Sequence, residues 1–245
     1  MRWQQTFGSL SLLLFAALFS SSEGFIAPVS RLPSTIVGGE KQDSWILRVE
    51  TTGTQEQVDA QKVEAWKKTI LEEAAGTSNG IKATPEQRKA IEEAANCLVA
   101  RNPTKDIATS DVASVLDVPY LASCRCVGLW DLVYTTSSST SAGRLGPYIG
   151  EVQQEVDVSK GVYFNYVRVG PLTGKLLANW EIMNEKQWKV IFRTITFLLW
   201  GRKVVDLDLG RDGCWTLSYL DQDMRILTGR PMAKEVGNLY ILSRA

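Results

Sequence analysis

The sequence predicts a mainly β fold, an up-and-down antiparallel β-barrel with an N-terminal α-helical hairpin. Three observations carry this. From Val127 onward, short alternating or apolar runs recur between turn residues, which is the signature of an all-β domain. The connections between those runs are short, which suits up-and-down closure, and closure removes exposed sheet edges. Before them, between Val63 and Leu98, apolar residues recur at spacings of three and four, the period of amphipathic helices.

Residues 1–24 read as a signal peptide. Arg2 supplies a positive start, Leu10 to Phe19 an apolar run, and Ser22 and Gly24 the small residues before a cut. That run is shorter than the roughly 20 apolar residues a bilayer span needs. Residues 25–57 read as a transit peptide and linker: Phe25-Ile26-Ala27-Pro28 is followed by Ser30, Arg31, Ser34 and Thr35, with no acid between Phe25 and Gly39. Together the two segments resemble the bipartite presequence of complex-plastid algae, which implies a plastid or chloroplast location. A secretory signal with a pro-segment is the alternative.

Residues 58–118 form the helical region. Val63, Trp66, Ile70 and Ala74 make one apolar stripe that ends near Gly76. Thr84-Pro85-Glu86-Gln87 is a capping box with proline at the first helical position, where its missing N–H costs nothing. Ile91, Ala94, Ala95 and Leu98 follow on one face, and Asn102-Pro103 ends the helix. A third short helix is expected over Asp111–Leu116, with Ser110 as its cap and Pro119 as its stop.

Residues 119–245 form the barrel, organised around Cys126 to Thr136. Its period of two puts Trp130, Leu132 and Tyr134 on one face and Leu129, Asp131, Val133 and Thr135 on the other. Gly128-x-Trp130 suits a barrel's first strand, because the glycine admits a close backbone and the tryptophan plugs an apolar end. A Ser/Thr/Gly-rich loop, Ser137 to Pro147, comes next. Strands are then expected at Gly150–Asp157, Val162–Val169, Lys175–Met183, Trp188–Phe197, Lys203–Leu209, Cys214–Leu220, Arg225–Thr228 and Leu239–Ser243. The turn signals include Gly170-Pro171, Asn184-Glu185-Lys186, Gly210-Arg211-Asp212-Gly213 and Asp221-Gln222-Asp223.

Composition narrows the function. Basic and acidic residues balance at 27 each, so no basic field draws in a nucleic acid. The chain has no histidine, which removes Ser-His-Asp and Cys-His nucleophiles and the usual zinc sites. Cys124-Arg125-Cys126 has one residue between its thiols, and Cys97 and Cys214 lie far off, so no metal or other cofactor is expected and reduced thiols are the default. An enzyme would rest on carboxylates, with Asp157, Glu155 and Asp221 the first to test.

Tyr219 to Ile226, YLDQDMRI, together with GLWDLVYTT from Gly128 to Thr136 and the closing Leu239–Arg244 strand, resembles the plastid lipid-associated protein (PAP)/fibrillin family. The resemblance runs from Val58 to Ala245. It departs at Thr228-Gly229-Arg230, where Pro231 to Gly237 lengthens the last connection. It implies a lipocalin-like barrel, not an enzyme, that binds or carries small apolar molecules such as isoprenoid, quinone or acyl lipids. It also implies peripheral attachment to thylakoids or plastoglobules, without a transmembrane segment. A droplet coat protein with a filled barrel and a His-independent lipid-modifying enzyme are the alternatives.

The aromatic residues on alternating faces make Trp130, Tyr134, Asn165, Trp180, Phe192, Tyr219 and Arg225 the candidate ligand contacts. Eight strands leave an interior that side chains fill or share with one ligand, and the residues leave both open. Asp221 and Arg225 flank a tight turn, which suits a structural ion pair or a clamp for a lipid headgroup.

Overall fold

A computed structural model describes residues 47–108, 126–157 and 160–245. The expected signal peptide, most of the transit segment, the helix at Asp111–Leu116 and Cys124 lie outside these residues. The chain divides into two units, Met1–Lys62 and Val63–Ala245, and the contacts described below lie within the second.

The first helix, α1, is Leu47–Ala74 and the second, α2, is Pro85–Val99. α1 starts earlier than the apolar period at Val63 predicts. Its opening turns present no apolar face, so periodicity carried no signal there and the stretch to Thr54 read as linker. α2 has the expected capping box: the Gln87 amide donates to Thr84 Oγ1 at 3.2 Å, and the Thr84 amide donates to Gln87 Oε1 at 3.1 Å.

Among the described residues, eight antiparallel strands close a barrel in the order β1-β10-β9-β8-β7-β6-β5-β4. They are β1 (Gly128–Thr135), β4 (Glu151–Asp157), β5 (Val162–Val169), β6 (Leu172–Asn184), β7 (Gln187–Leu199), β8 (Arg202–Leu220), β9 (Met224–Pro231) and β10 (Asn238–Arg244). The Ser/Thr-rich loop holds a 3-10 turn, Thr140–Ala142, and a two-residue hairpin of β2 (Arg144–Leu145) and β3 (Tyr148–Ile149). The lengthened connection before β10 leaves its pairing with β9 intact, from Asn238 opposite Gly229 to Ser243 opposite Met224.

The two strands expected on either side of Gly210-Arg211-Asp212-Gly213 are one strand, β8. Leu209 and Gly210 together oppose Arg193 of β7, and Gly210 has φ +55°. This is a β-bulge with a left-handed glycine, the same backbone state that a turn glycine uses, so residue type alone could not separate the two.

Pairing registers fix which residues share the interior. Trp130 lies opposite Gln154, Gln154 opposite Asn165, Tyr163 opposite Ala178, Trp180 opposite Val190, Trp188 opposite Trp215, Leu217 opposite Leu227, and Arg225 opposite Leu242. One end of this interior is sealed from below. The Trp130 indole donates to the Cys126 carbonyl at 3.0 Å and the Trp188 indole to the Ala108 carbonyl at 3.0 Å. At the other end the inward-facing Leu176 is only half-buried.

Further bulges break the period of two, and one of them corrects the expected face of β1. Leu132 opposes Leu242 but Tyr134 opposes Ile241, with Val133 as the extra residue. In β8, Leu217 opposes Leu227 but Tyr219 opposes Ile226. Both tyrosines therefore point out of the barrel, into an apolar layer with Ile70, Ala74, Ile91, Ala94, Leu98, Met224, Ile226 and Ile241. This layer is where the helical hairpin packs on the barrel wall, and burying it is the main source of stability for the two helices.

Candidate functional site

Of the sequence candidates, the registers place Trp130, Asn165, Trp180, Phe192 and Arg225 on the inner face. Tyr134 and Tyr219 stand apart from them. The Tyr134 hydroxyl donates to Glu92 Oε1 of α2 at 3.0 Å, and the Tyr219 hydroxyl donates to Asp221. Burial, with the Glu92 charge beside it, pushes the Tyr134 phenol up to about 12. Both residues act in the helix–barrel seam.

Asp221 does not pair with Arg225. It holds Lys67 of α1 at 2.7 Å and accepts the backbone amides of Asp223 and Met224 at 2.9 and 2.7 Å. Burial alone would raise the Asp221 carboxyl, but the hydrogen bonds from Lys67 and Tyr219 outweigh it and hold its pKa below the usual value. Burial likewise works against the Lys67 ammonium, yet Asp221 and Glu64 hold its pKa above the usual value. The expected ion pair across the turn therefore exists with a different cation, because β9 pairing sends Arg225 inward while the turn carries Asp221 outward.

Arg225 is fully buried. Its guanidinium lies over the Trp130 ring, 4.9 Å from the centroid, and Arg244 covers the same ring at 4.2 Å. Arg244 is tied to the closed end by hydrogen bonds to the Gln222 and Val127 carbonyls at 3.0 and 2.6 Å. Arg225 instead donates through Nη2 to Gln154 Oε1, and Gln154 donates to Asn165 Oδ1 at 2.9 Å. A polar chain thus crosses the interior from the sealed end to the half-buried Asn165. Burial pushes the Arg225 guanidinium down to about 10, and the Arg244 charge adds to this, so it remains a cation at neutral pH.

Aromatic side chains line the rest of the sealed half. Trp180 stacks on Trp188 with centroids 4.4 Å apart, and Tyr163 lies against Trp215 at 4.6 Å. Nothing in the sequence singles out Tyr163 as a neighbour of Arg225. Gln154, whose parity on Glu151–Asp157 already makes it an interior polar candidate with Asn165 and Arg225, links those two residues in the structure.

The carboxylates that an enzyme would use do not enter this interior. Glu155 accepts the Tyr166 hydroxyl at 2.8 Å, Asp157 pairs with Lys160 at 2.7 Å, and Asp221 is held by Lys67. Among the described residues, no cluster of acidic or thiol groups has metal-binding geometry, and no helix is long and apolar enough to cross a membrane.

A closed eight-stranded barrel with a Gly-x-Trp start and a helical hairpin on its wall is matched over residues 64–243 by the PAP_fibrillin family model. The chain belongs to the PAP/fibrillin family. That family is lipid-associated and linked to plastids, and it is in general structural and not enzymatic. No curated protein matches the chain. The match begins in α1 and ends in β10, so the hairpin and the whole barrel belong to the fibrillin unit.

Proposed function

We propose that this fibrillin is a plastid lipid-binding protein that holds one small apolar molecule, an isoprenoid, quinone or acyl lipid, inside the barrel at thylakoids or plastoglobules. The observation that carries the reading is the inner face itself. It is aromatic and apolar, yet it keeps buried polar atoms that no group in the described residues satisfies, at Tyr163 Oη, Trp180 Nε1, and Arg225 Nε and Nη1. Native interiors rarely leave such atoms unpaired, and an oxygenated apolar ligand supplies what is missing. Trp130, Asn165, Trp180, Phe192 and Arg225 form the ligand wall.

Peripheral attachment rests on the β7–β8 turn. Trp200 at its tip is 77% exposed with φ +49°, beside exposed Leu199 and Val204 and the basic pair Arg202 and Lys203. An exposed tryptophan flanked by cations suits the boundary between lipid headgroups and acyl chains. The presequence reading completes the route, with a signal peptide and a transit segment removed on delivery to a complex plastid. N-terminal sequencing of the protein from its own cells tests that step, and a mature chain retaining Met1 would sink it.

Ligand binding is tested with the barrel's own fluorophores, because Trp130, Trp180, Trp188 and Trp215 all line the interior. Saturable quenching by a short-chain plastoquinone analogue is the expected result. Absence of saturable quenching with every isoprenoid, quinone and acyl lipid tried would replace the carrier by a filled-barrel coat protein.

A further inference from the structure

We infer that the barrel selects an amphiphile with an acidic head, a carboxylate or a phosphate monoester, and seats that head at the sealed end against Arg225; the inference rests on the carrier reading above. The unsatisfied buried atoms are all hydrogen-bond donors: two guanidinium N–H groups, an indole N–H and a phenol O–H. Four unmet donors, of which only the phenol can also accept, favour an oxyanion over a second donor or a bare hydrocarbon.

The charge balance points the same way. A guanidinium taken out of water is costly unless an anion or a full set of acceptors replaces its hydration. Arg225 has the Gln154 oxygen and the Cys126 sulfur as acceptors, its cation lies over Trp130, and its Nε and Nη1 stay unmet. Among the described residues, Asp221 is committed to Lys67, and Asp131, on the outer face, to Gln153 at 2.7 Å. Burial weighs against the Arg225 cation, the buried Cys126 sulfur favours it in part, and the like charge of Arg244 opposes it. Cys126 is buried beside Arg225, and a thiol is a weak acceptor.

Tyr163 completes the seat. It lies within electrostatic range of Arg225, and burial holds its phenol well above the usual pKa, so it stays a donor. Tyr163, Trp180 and Arg225 all fall in the half of the barrel that Trp130 and Trp188 close, while the half-buried Leu176 and Phe192 face inward nearer the accessible end. An acid head at the bottom with its chain running toward Leu176 follows from that arrangement. Hydrogen bonds from a guanidinium to a carboxylate or phosphate are short and strong, and Arg225 Nε and Nη1 are the N–H groups left to make them.

The experiment displaces a neutral probe, N-phenyl-1-naphthylamine, from the full chain with three ligands of equal chain length: dodecanoate, monododecyl phosphate and 1-dodecanol. Dodecanoate, the phosphate or both should displace it roughly tenfold to a hundredfold better than the alcohol, the ratio expected for hydrogen bonds to a charged group in a dry site. Preference for one acid over the other identifies the head. In Arg225→Met the preference for the acids over dodecanol should vanish. Because that variant leaves a different interior and can fail to fold, the wild-type arginine Nε–H resonances give a second readout. One should move downfield with the preferred acid and stay in place with dodecanol. Equal displacement by all three ligands overturns the inference and leaves the carrier reading intact. Displacement by none overturns both.

Discussion

The Tyr134 hydroxyl donates to the Glu92 carboxylate at 3.0 Å, joining the first barrel strand to the second helix across a bulge at Val133. Removing that hydroxyl with Tyr134→Phe leaves Glu92 without its donor and keeps the ring in the apolar layer. The expected loss is about 1 to 2 kcal/mol of stability, within the range for a hydrogen bond to a charged group. Probe affinity in the barrel should be unchanged. Urea unfolding alongside probe titration reads both, and a lost affinity at full stability would return Tyr134 to the interior.

The Lys67–Asp221 pair carries a pH signature. The Asp221 pKa is lower folded than its unfolded value of roughly 3.9, so its contribution is complete above about pH 4 and fades as pH falls further. Lys67 is raised instead, so its share is complete below about pH 10 and is lost as pH rises through its folded value. Asp221→Asn should cost roughly 3 to 5 kcal/mol at neutral pH, because it leaves a largely buried ammonium without its main partner. Urea midpoints between pH 2.5 and 7 should show the gap to wild type narrowing below about pH 4. A constant gap would show that the pair contributes nothing through charge.

Gly80 and Gly210 both have positive φ, at +91° and +55°, but their surroundings differ. A Cβ at Gly80 would stand 2.6 Å from the Thr135 carbonyl oxygen and 2.7 Å from the Tyr134 ring, whereas nothing lies within 4 Å of one at Gly210. Gly210→Ala should cost about 1 to 2 kcal/mol, the left-handed backbone penalty alone. Gly80→Ala adds a clash with backbone and should cost clearly more, by a further amount of roughly 1 to 3 kcal/mol. Equal melting-temperature losses would count against the described fit of the α1–α2 connection on β1.

Trp130 is fully buried, with two guanidiniums over its ring, and caps the sealed end. Trp130→Ala should cost about 3 to 5 kcal/mol, from lost transfer energy and the space left behind. A near-neutral result in chemical denaturation would mean that the end can collapse around the loss.

Trp200 gives the opposite outcome. Exposed at the β7–β8 tip, it should be replaceable by alanine within about 0.5 kcal/mol of stability. The same change should lower co-sedimentation with vesicles of galactolipid and anionic lipid several-fold. Unchanged sedimentation would remove the tip as the attachment point.

Much of this architecture is written locally. The Thr84–Gln87 box caps α2 because its four residues satisfy each other's backbone groups, whatever lies around them. The strands from Glu151 to Leu199 follow from alternation and turn residues, and the YLDQDMRI and GLWDLVYTT strings are specific enough to identify the family. The Leu47–Thr54 end of α1 was not legible, because a helical segment without an apolar face leaves no period to read.

Side-chain direction near the bulges was decided only by tertiary structure. Parity assumes an unbroken period of two, and an inserted residue such as Val133 or Ser218 has no residue-type signature of its own. It exists only relative to the partner strand, so the turning of Tyr134 and Tyr219 outward appears once Ile241 and Ile226 lie opposite them. The partner of Asp221 was hidden for the same reason, since Lys67 lies far away in sequence and reaches it only when α1 packs on the barrel. Sequence placed Arg225 beside a turn four residues after an aspartate. Pairing with Leu220 and Leu242 turned it inward, where burial makes its unmet hydrogen bonds count.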